Sequence, residues 1–195
     1  MIKHAVIYIF GLGDHHSRGQ KLAIGLAQPL HNVDIETFQM QWLQKQPYEA
    51  RFTILLNRID ELSNRGYKVS LIGVSAGASV AVNALAARRR IIHRVVCICG
   101  KLRNPDTVHP DVYQKNPAFR ESMDKLPISL SKLSQVDLSH ILSIKPLADE
   151  LVPPNDTILV GAKSKTIFSA EHSLSIALGI TLYSQMIFGF IKRDD

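Results

Sequence analysis

Gly73-Val74-Ser75-Ala76-Gly77 sets one hydroxyl among small residues where an apolar run, "YKVSLIG", gives way to an Ala-rich one. A serine at a tight strand-to-helix turn is lifted above the sheet, and flanking glycines remove side chains that would clash there. Such a hydroxyl is a candidate nucleophile. It stays weak until a base takes its proton, and the usual base is an imidazole held by a carboxylate. The chemistry this implies is attack on an acyl carbon, which also needs N–H donors for the oxyanion. One donor is the amide of Ala76, at the start of a helix whose N-terminal amides point toward the same place.

The remaining groups belong on loops further along the chain. "SAEHSLSI" places His172 just past a strand-like run, as the candidate base, whereas His93 and His140 open strands at the opposite end of a sheet and His109 sits in a Pro-rich stretch. For the carboxylate, "KPLADELVPP" puts Asp149 in a loop leaving the carboxyl end of a strand, with its neighbour Glu150 as the rival. Asp156 and Glu171 are weaker alternatives, and Asp137 precedes that strand. A plainer role for Asp149 is to cap the turn near Pro153. "FGLGDHH" supplies the second donor: Gly11 lets the backbone approach closely and Leu12 can turn its amide toward the site. Gly11 and Gly13 do not make a dinucleotide fingerprint, because its third glycine would fall at His16.

The elements that must position these groups follow from the spacing of apolar residues. "HAVIYIF", residues 4–10, reads as a strand, 18–28 as a helix, and 33–38 as a short strand. Residues 48–65 carry Phe52, Leu55, Ile59 and Leu62 as a helical stripe ended by Gly66. "YKVSLIG" is the next strand, 76–90 a helix, and "HRVVCIC" another strand. Residues 101–135 hold Pro105, Pro110, Pro117 and Pro127 and read as an insertion. "SHILSI" and "KSKTIFS" resume as strands, and the uncharged segment 173–191 closes the chain as one helix. This alternation predicts an α/β fold, a parallel sheet with helices on both faces and right-handed crossovers. Ligands then bind at the carboxyl ends of the strands, which directs attention to the loops after Phe10, Gly73, Cys99, Ile144 and Phe168.

Composition narrows the classes. With 195 residues, 46% hydrophobic and 21% charged, the chain is expected to form a single domain, 1–195, around one core. The net charge is +6, but Lys and Arg are scattered, and Arg88-Arg89-Arg90 reads as the solvated end of a helix; no nucleic-acid partner is expected. Cys97 and Cys99 are two apart, where a disulfide would be strained and a metal would lack further ligands, so reduced thiols and neither metal nor cofactor are expected. No small-residue cleavage site follows the first apolar run, which points to the cytoplasm. Residues 173–191 approach a membrane span in length, but Ser173, Ser175, Thr181, Ser184 and Gln185 interrupt them. A buried terminal helix is expected there, with no integral membrane insertion.

Ser75, Asp149 and His172, in that chain order and on those loops, resemble the α/β-hydrolase superfamily, and the resemblance covers nearly the whole chain. "DELVP" resembles that family's acid loop, His172 before a final helix resembles its histidine loop, and "FGLG" is similar to its first-strand loop, with Phe10 where a histidine is usual. The resemblance implies six parallel strands in the order 2-1-3-4-5-6, without the family's first two antiparallel strands. It sets residues 101–135 where members carry a lid or cap, with Val112, Tyr113, Phe119 and Met123 either lining a pocket or packing the insertion onto the body. The implied activity is that of a serine hydrolase acting on a small-molecule acyl substrate, a carboxylic ester or thioester, through an acyl-Ser75 intermediate. His172 would be base and then acid, Asp149 its orienting carboxylate, and the amides of Leu12 and Ala76 the oxyanion donors. Two other classes stand beside it: a non-catalytic binding protein with the same fold, and a peripheral membrane or partner-binding protein using the terminal segment and basic surface.

Overall fold

The computed structural model describes residues 3–44 and 46–193. Six strands, β1 (His4–Ile9), β2 (Asp34–Phe38), β3 (Lys68–Val74), β4 (Ile92–Ile98), β5 (Ile141–Pro146) and β6 (Lys163–Ile167), form one sheet in the order β2-β1-β3-β4-β5-β6. Every pairing is parallel. The eight α-helices among the described residues are α1 (Arg18–His31), α2 (Tyr48–Asn64), α3 (Gly77–Ala87), α4 (Pro110–Lys115), α5 (Pro117–Leu130), α6 (Gln135–Ser139), α7 (His172–Ile180) and α8 (Ser184–Ile191). Because parallel neighbours need a crossover, the first four strand-to-strand steps carry α-helices over one face or the other, whereas the step from β5 to β6 has only a short 3-10 turn at Pro154–Thr157.

Alternate residues of each strand feed two separate cores. Ile7 and Ile9 of β1 and Leu71 of β3 face α2, α3 and α5, whose Phe52, Ala81 and Leu126 are buried against them. Tyr8, Ile72 and Ile98 face the other way, toward Ile24 of α1, Ile176 of α7 and Phe188 of α8. A sheet buried on both sides explains why β1, β3 and β4 read as continuous apolar runs rather than alternating ones. At the edge, β6 exposes Lys163, Ser164, Lys165 and Thr166 and buries only Ile167.

Two expectations are corrected. The segment 173–191 is not one helix: it breaks at Thr181–Tyr183, and the axes of α7 and α8 differ by 61°. A straight helix of that length would leave the sheet, whereas the bend lets both halves lay apolar residues on the same face, with Gly179 close against Ile98. Among the described residues no single helix is long and apolar enough to cross a membrane. The strand predicted at 139–144 begins at Ile141, because Ser134 and Asp137 form a reciprocal capping box that draws Gln135–Ser139 into α6.

Within 101–135 the structure has two parts. Helix α5 lies in the layer of α2 and α3, with Phe119, Met123 and Leu126 in the core, and Ser122 shares a buried hydrogen-bond cluster with Ser79 and Asn83 of α3. The preceding stretch, with α4, overlies the carboxyl ends of the strands, where Val108 and Val112 face a cavity. Arg88 at the end of α3 is held by both oxygens of Asp60 at 2.7 and 2.9 Å.

Candidate active site

Ser75 occupies the turn between β3 and α3 with φ +51°, a left-handed conformation that a non-glycine residue adopts only where its surroundings enforce it. The enforcement is visible in the neighbours. A Cβ on Gly73 would stand 2.5 Å from the Gly77 carbonyl oxygen, and one on Gly77 would stand 2.4 Å from that of Ile9. The turn therefore packs backbone against backbone, and the glycines recognised in the sequence are required by that approach. The Ser75 amide donates to the Ile98 carbonyl at 3.0 Å, which ties the turn to the end of β4.

The first-strand loop meets the same turn. Gly11 lies against Ser75, where an added Cβ would come within 2.8 Å of the serine Cβ. Its position is fixed from the β2 side: the Phe10 carbonyl accepts from Trp42 Nε1 at 3.2 Å, and the Asp14 carboxylate accepts from the Gln41 amide at 2.6 Å. Burial pushes Asp14 above the usual carboxylate range, and its hydrogen bonds only partly offset this. Among the described residues, neither the Leu12 nor the Ala76 amide donates to a protein acceptor. Both residues line the cavity beside Ser75.

Asp149 and His172 are brought together. The loop after β5 and the start of α7 place Asp149 Oδ2 2.7 Å from His172 Nδ1, and both side chains are almost wholly buried. Burial works against the charge of Asp149, but the bonds from His172 and from the amides of Val152 and Leu151 prevail and hold it below the usual carboxylate range. An ionised Asp149 can only accept, so Nδ1 carries a proton, and in the neutral ring Nε2 is the nitrogen with the free lone pair. The capping role considered for Asp149 is real too, since one oxygen serves Leu151 and Val152 while the other serves the imidazole. His172 and Ser75 line one cavity of about 600 Å³, although no hydrogen bond joins Ser75 Oγ to the ring. Such contacts often tighten only when substrate is bound.

The other acids separate cleanly. Glu150 does not reach the ring; its two oxygens accept the His172 main-chain amide at 3.3 and 3.2 Å. Glu171 caps α7. Asp156 is drawn away into a buried pair with Lys101 at 2.5 Å, supported by Asn104 and Thr107. His109 reaches the cavity from the cap of α4, while His93 lies near the opposite end of β4.

Lys101, buried and lining the cavity, is a further residue of the site that the sequence reading does not include. It follows Cys99 by two residues, in the loop leaving the carboxyl end of β4, but its burial depends on the distant Asp156 and leaves no pattern in the sequence. Cys99 itself sits behind the site, its thiol pushed up to about 12 by burial and by the charge of Asp149. Among the described residues no group of three or more His, Cys, Asp or Glu is arranged to hold a metal.

A six-stranded parallel sheet in this order, with its turn serine at a carboxyl edge, is the α/β-hydrolase fold. No protein-family model matches the chain, and no curated protein matches its sequence. Solved structures do match in shape. One is from work on LipS and LipT, two metagenome-derived lipolytic enzymes: TM-score 0.70 at 13% identity, over 99% of this chain and 95% of that one. The monoacylglycerol lipase of Paleococcus ferrophilus matches with TM-score 0.66 at 16% identity, over 97% and 96%. Est1E from Butyrivibrio proteoclasticus matches with TM-score 0.68 at 14% identity, over 97% and 87%.

Proposed function

We propose that this protein is a serine hydrolase that cleaves a carboxylic ester or thioester of a small acyl substrate through an acyl-Ser75 intermediate. The observation that carries the reading is the Asp149–His172 hydrogen bond of 2.7 Å behind a cavity that both His172 and Ser75 line. In this reading Nε2 of His172 takes the Ser75 proton as Oγ attacks the acyl carbon. The tetrahedral oxyanion is held by the amides of Leu12 and Ala76. The imidazolium, stabilised by Asp149, then protonates the leaving alcohol or thiol, and water repeats the sequence to release the acid. Phe10, Val74, Val112, Phe119 and Ile176 give the cavity an apolar lining suited to an acyl chain. The lipolytic enzymes and the monoacylglycerol lipase among the similar structures agree with this substrate class. A fluorophosphonate probe should form one adduct, located on Ser75 by mass spectrometry and absent from Ser75→Ala. An adduct on another serine, with Ser75 unmodified, overturns the assignment.

A further inference from the structure

The imidazole proposed as base stands at an electrostatically unfavourable address. His172 is the first residue of α7, and the N-terminus of a helix carries roughly half a positive charge, which opposes formation of an imidazolium there. Two carboxylates stand at the same terminus. Glu150 accepts the His172 amide at 3.3 and 3.2 Å, and Glu171 accepts the amides of Ser173 at 2.8 Å and Leu174 at 2.5 Å. The first three amides of the helix are thus all met by anions.

We infer that Glu150 is a positioning residue for His172, and that Glu150 and Glu171 together offset the field of α7 so that the imidazole stays basic enough to activate Ser75. The inference rests on the hydrolase reading and names the groups outside Ser75, Asp149 and His172 that set the strength of its base. Adjacent residues grip the histidine at both ends, Asp149 by the ring and Glu150 by the main chain, so the ring keeps one place and one orientation. The other charged and titratable groups near the ring do not supply this field. Lys101, on the cavity wall, is neutralised by Asp156, His109 lines the cavity from the N-cap of α4, where its Nδ1 accepts the Asp111 amide, and the Cys99 thiol is held protonated by burial. Hydrogen bonds from the Leu174 and Ser173 amides hold Glu171 below the usual carboxylate range, so it is an anion wherever the base operates.

The test is the second-order rate of fluorophosphonate labelling as a function of pH, for wild type, Glu150→Gln, Glu150→Ala, Glu171→Gln and the double glutamine variant. Glutamine keeps an acceptor for the amide and removes the charge. An imidazolium that has lost a neighbouring anion gives up its proton at lower pH, so the acid limb of the profile should move down by about half a unit per carboxylate. The plateau rate should fall several-fold at the same time, because the imidazolium formed in the attack is less stabilised. Glu150→Ala, which also frees the amide, should lower the plateau further. Glu150 is exposed, so its variants should fold, and Glu171→Gln probes the field independently. A plateau that falls with an unmoved acid limb in both single variants marks a merely structural role and overturns the inference, as does an unchanged profile. A wild type unlabelled at Ser75 instead overturns the hydrolase reading and this inference with it.

Discussion

Ser75 pays for its place with backbone strain. A non-glycine residue held at φ +51° costs about 1–3 kcal/mol, and the cost is met by the packing of Gly73, Gly77 and Gly11 around the turn. Replacing Ser75 by glycine removes the strain together with the hydroxyl. Ser75→Gly should therefore abolish labelling while raising stability by about 1 kcal/mol in denaturant unfolding, with glycine's extra chain entropy reducing the gain. A stability equal to or below that of the wild type would show that the conformation is not strained. At this scale the placement of Ser75, His172 and Asp149 is legible in the sequence, because each lies just beyond a strand end, and the structure sets Asp149 against His172, with His172 and Ser75 on the same cavity. The placement of Glu150 and Lys101 is less legible. A carboxylate that serves a backbone amide and a lysine that is buried by its own counter-ion leave no pattern in spacing; both depend on where two distant loops meet.

Among the elements, the strands and the long amphipathic helices were readable from periodicity, and the terminal segment was not. Uniform apolarity over 173–191 says that both halves are buried but not that they are bent, since the break at Thr181–Tyr183 is imposed by the face they must cover. The contact that closes this packing carries a pH dependence. His31, the last residue of α1, stacks on Phe188 of α8 with ring centroids 4.3 Å apart, and its Nε2 is buried without a hydrogen-bond partner. Burial, with the nearby charge of Lys192, holds His31 below the ordinary histidine range. A folded state that resists protonating this ring is fully stable above that range and loses stability as pH falls through it. Denaturant unfolding should show His31→Phe, which keeps the stack and removes the titration, losing less stability than the wild type between pH 7.5 and 5. Equal losses would mean that His31 protonates as readily folded as unfolded.

For the whole molecule, the Lys101–Asp156 pair joins the segment overlying the cavity to the loop that carries Asp149. The Asp156 side chain takes Lys101, Asn104 and Thr107, and its carbonyl takes the Leu102 amide at 2.9 Å, so both walls of the cavity share one anchor. Removing one member leaves the other charge buried and alone, a loss of about 3–5 kcal/mol, whereas removing both can be close to neutral. Lys101→Met should therefore lower the unfolding free energy sharply, and Lys101→Met with Asp156→Leu should recover most of it. Additive losses in this cycle would show that the two charges are not coupled.

The bent pair of helices at 172–191 has a consequence for how the protein is made. By the time the chain has been synthesised through Ile167, all six strands exist, but the side of the sheet bearing Ile98, Ile144 and Ile167 still lacks two of its three helices. A nascent chain at that stage offers a sticky, nearly finished sheet to chaperones or to other nascent chains. The same short stretch that hides the greasy surface also delivers His172, so the imidazole reaches Asp149 only as that side of the sheet closes.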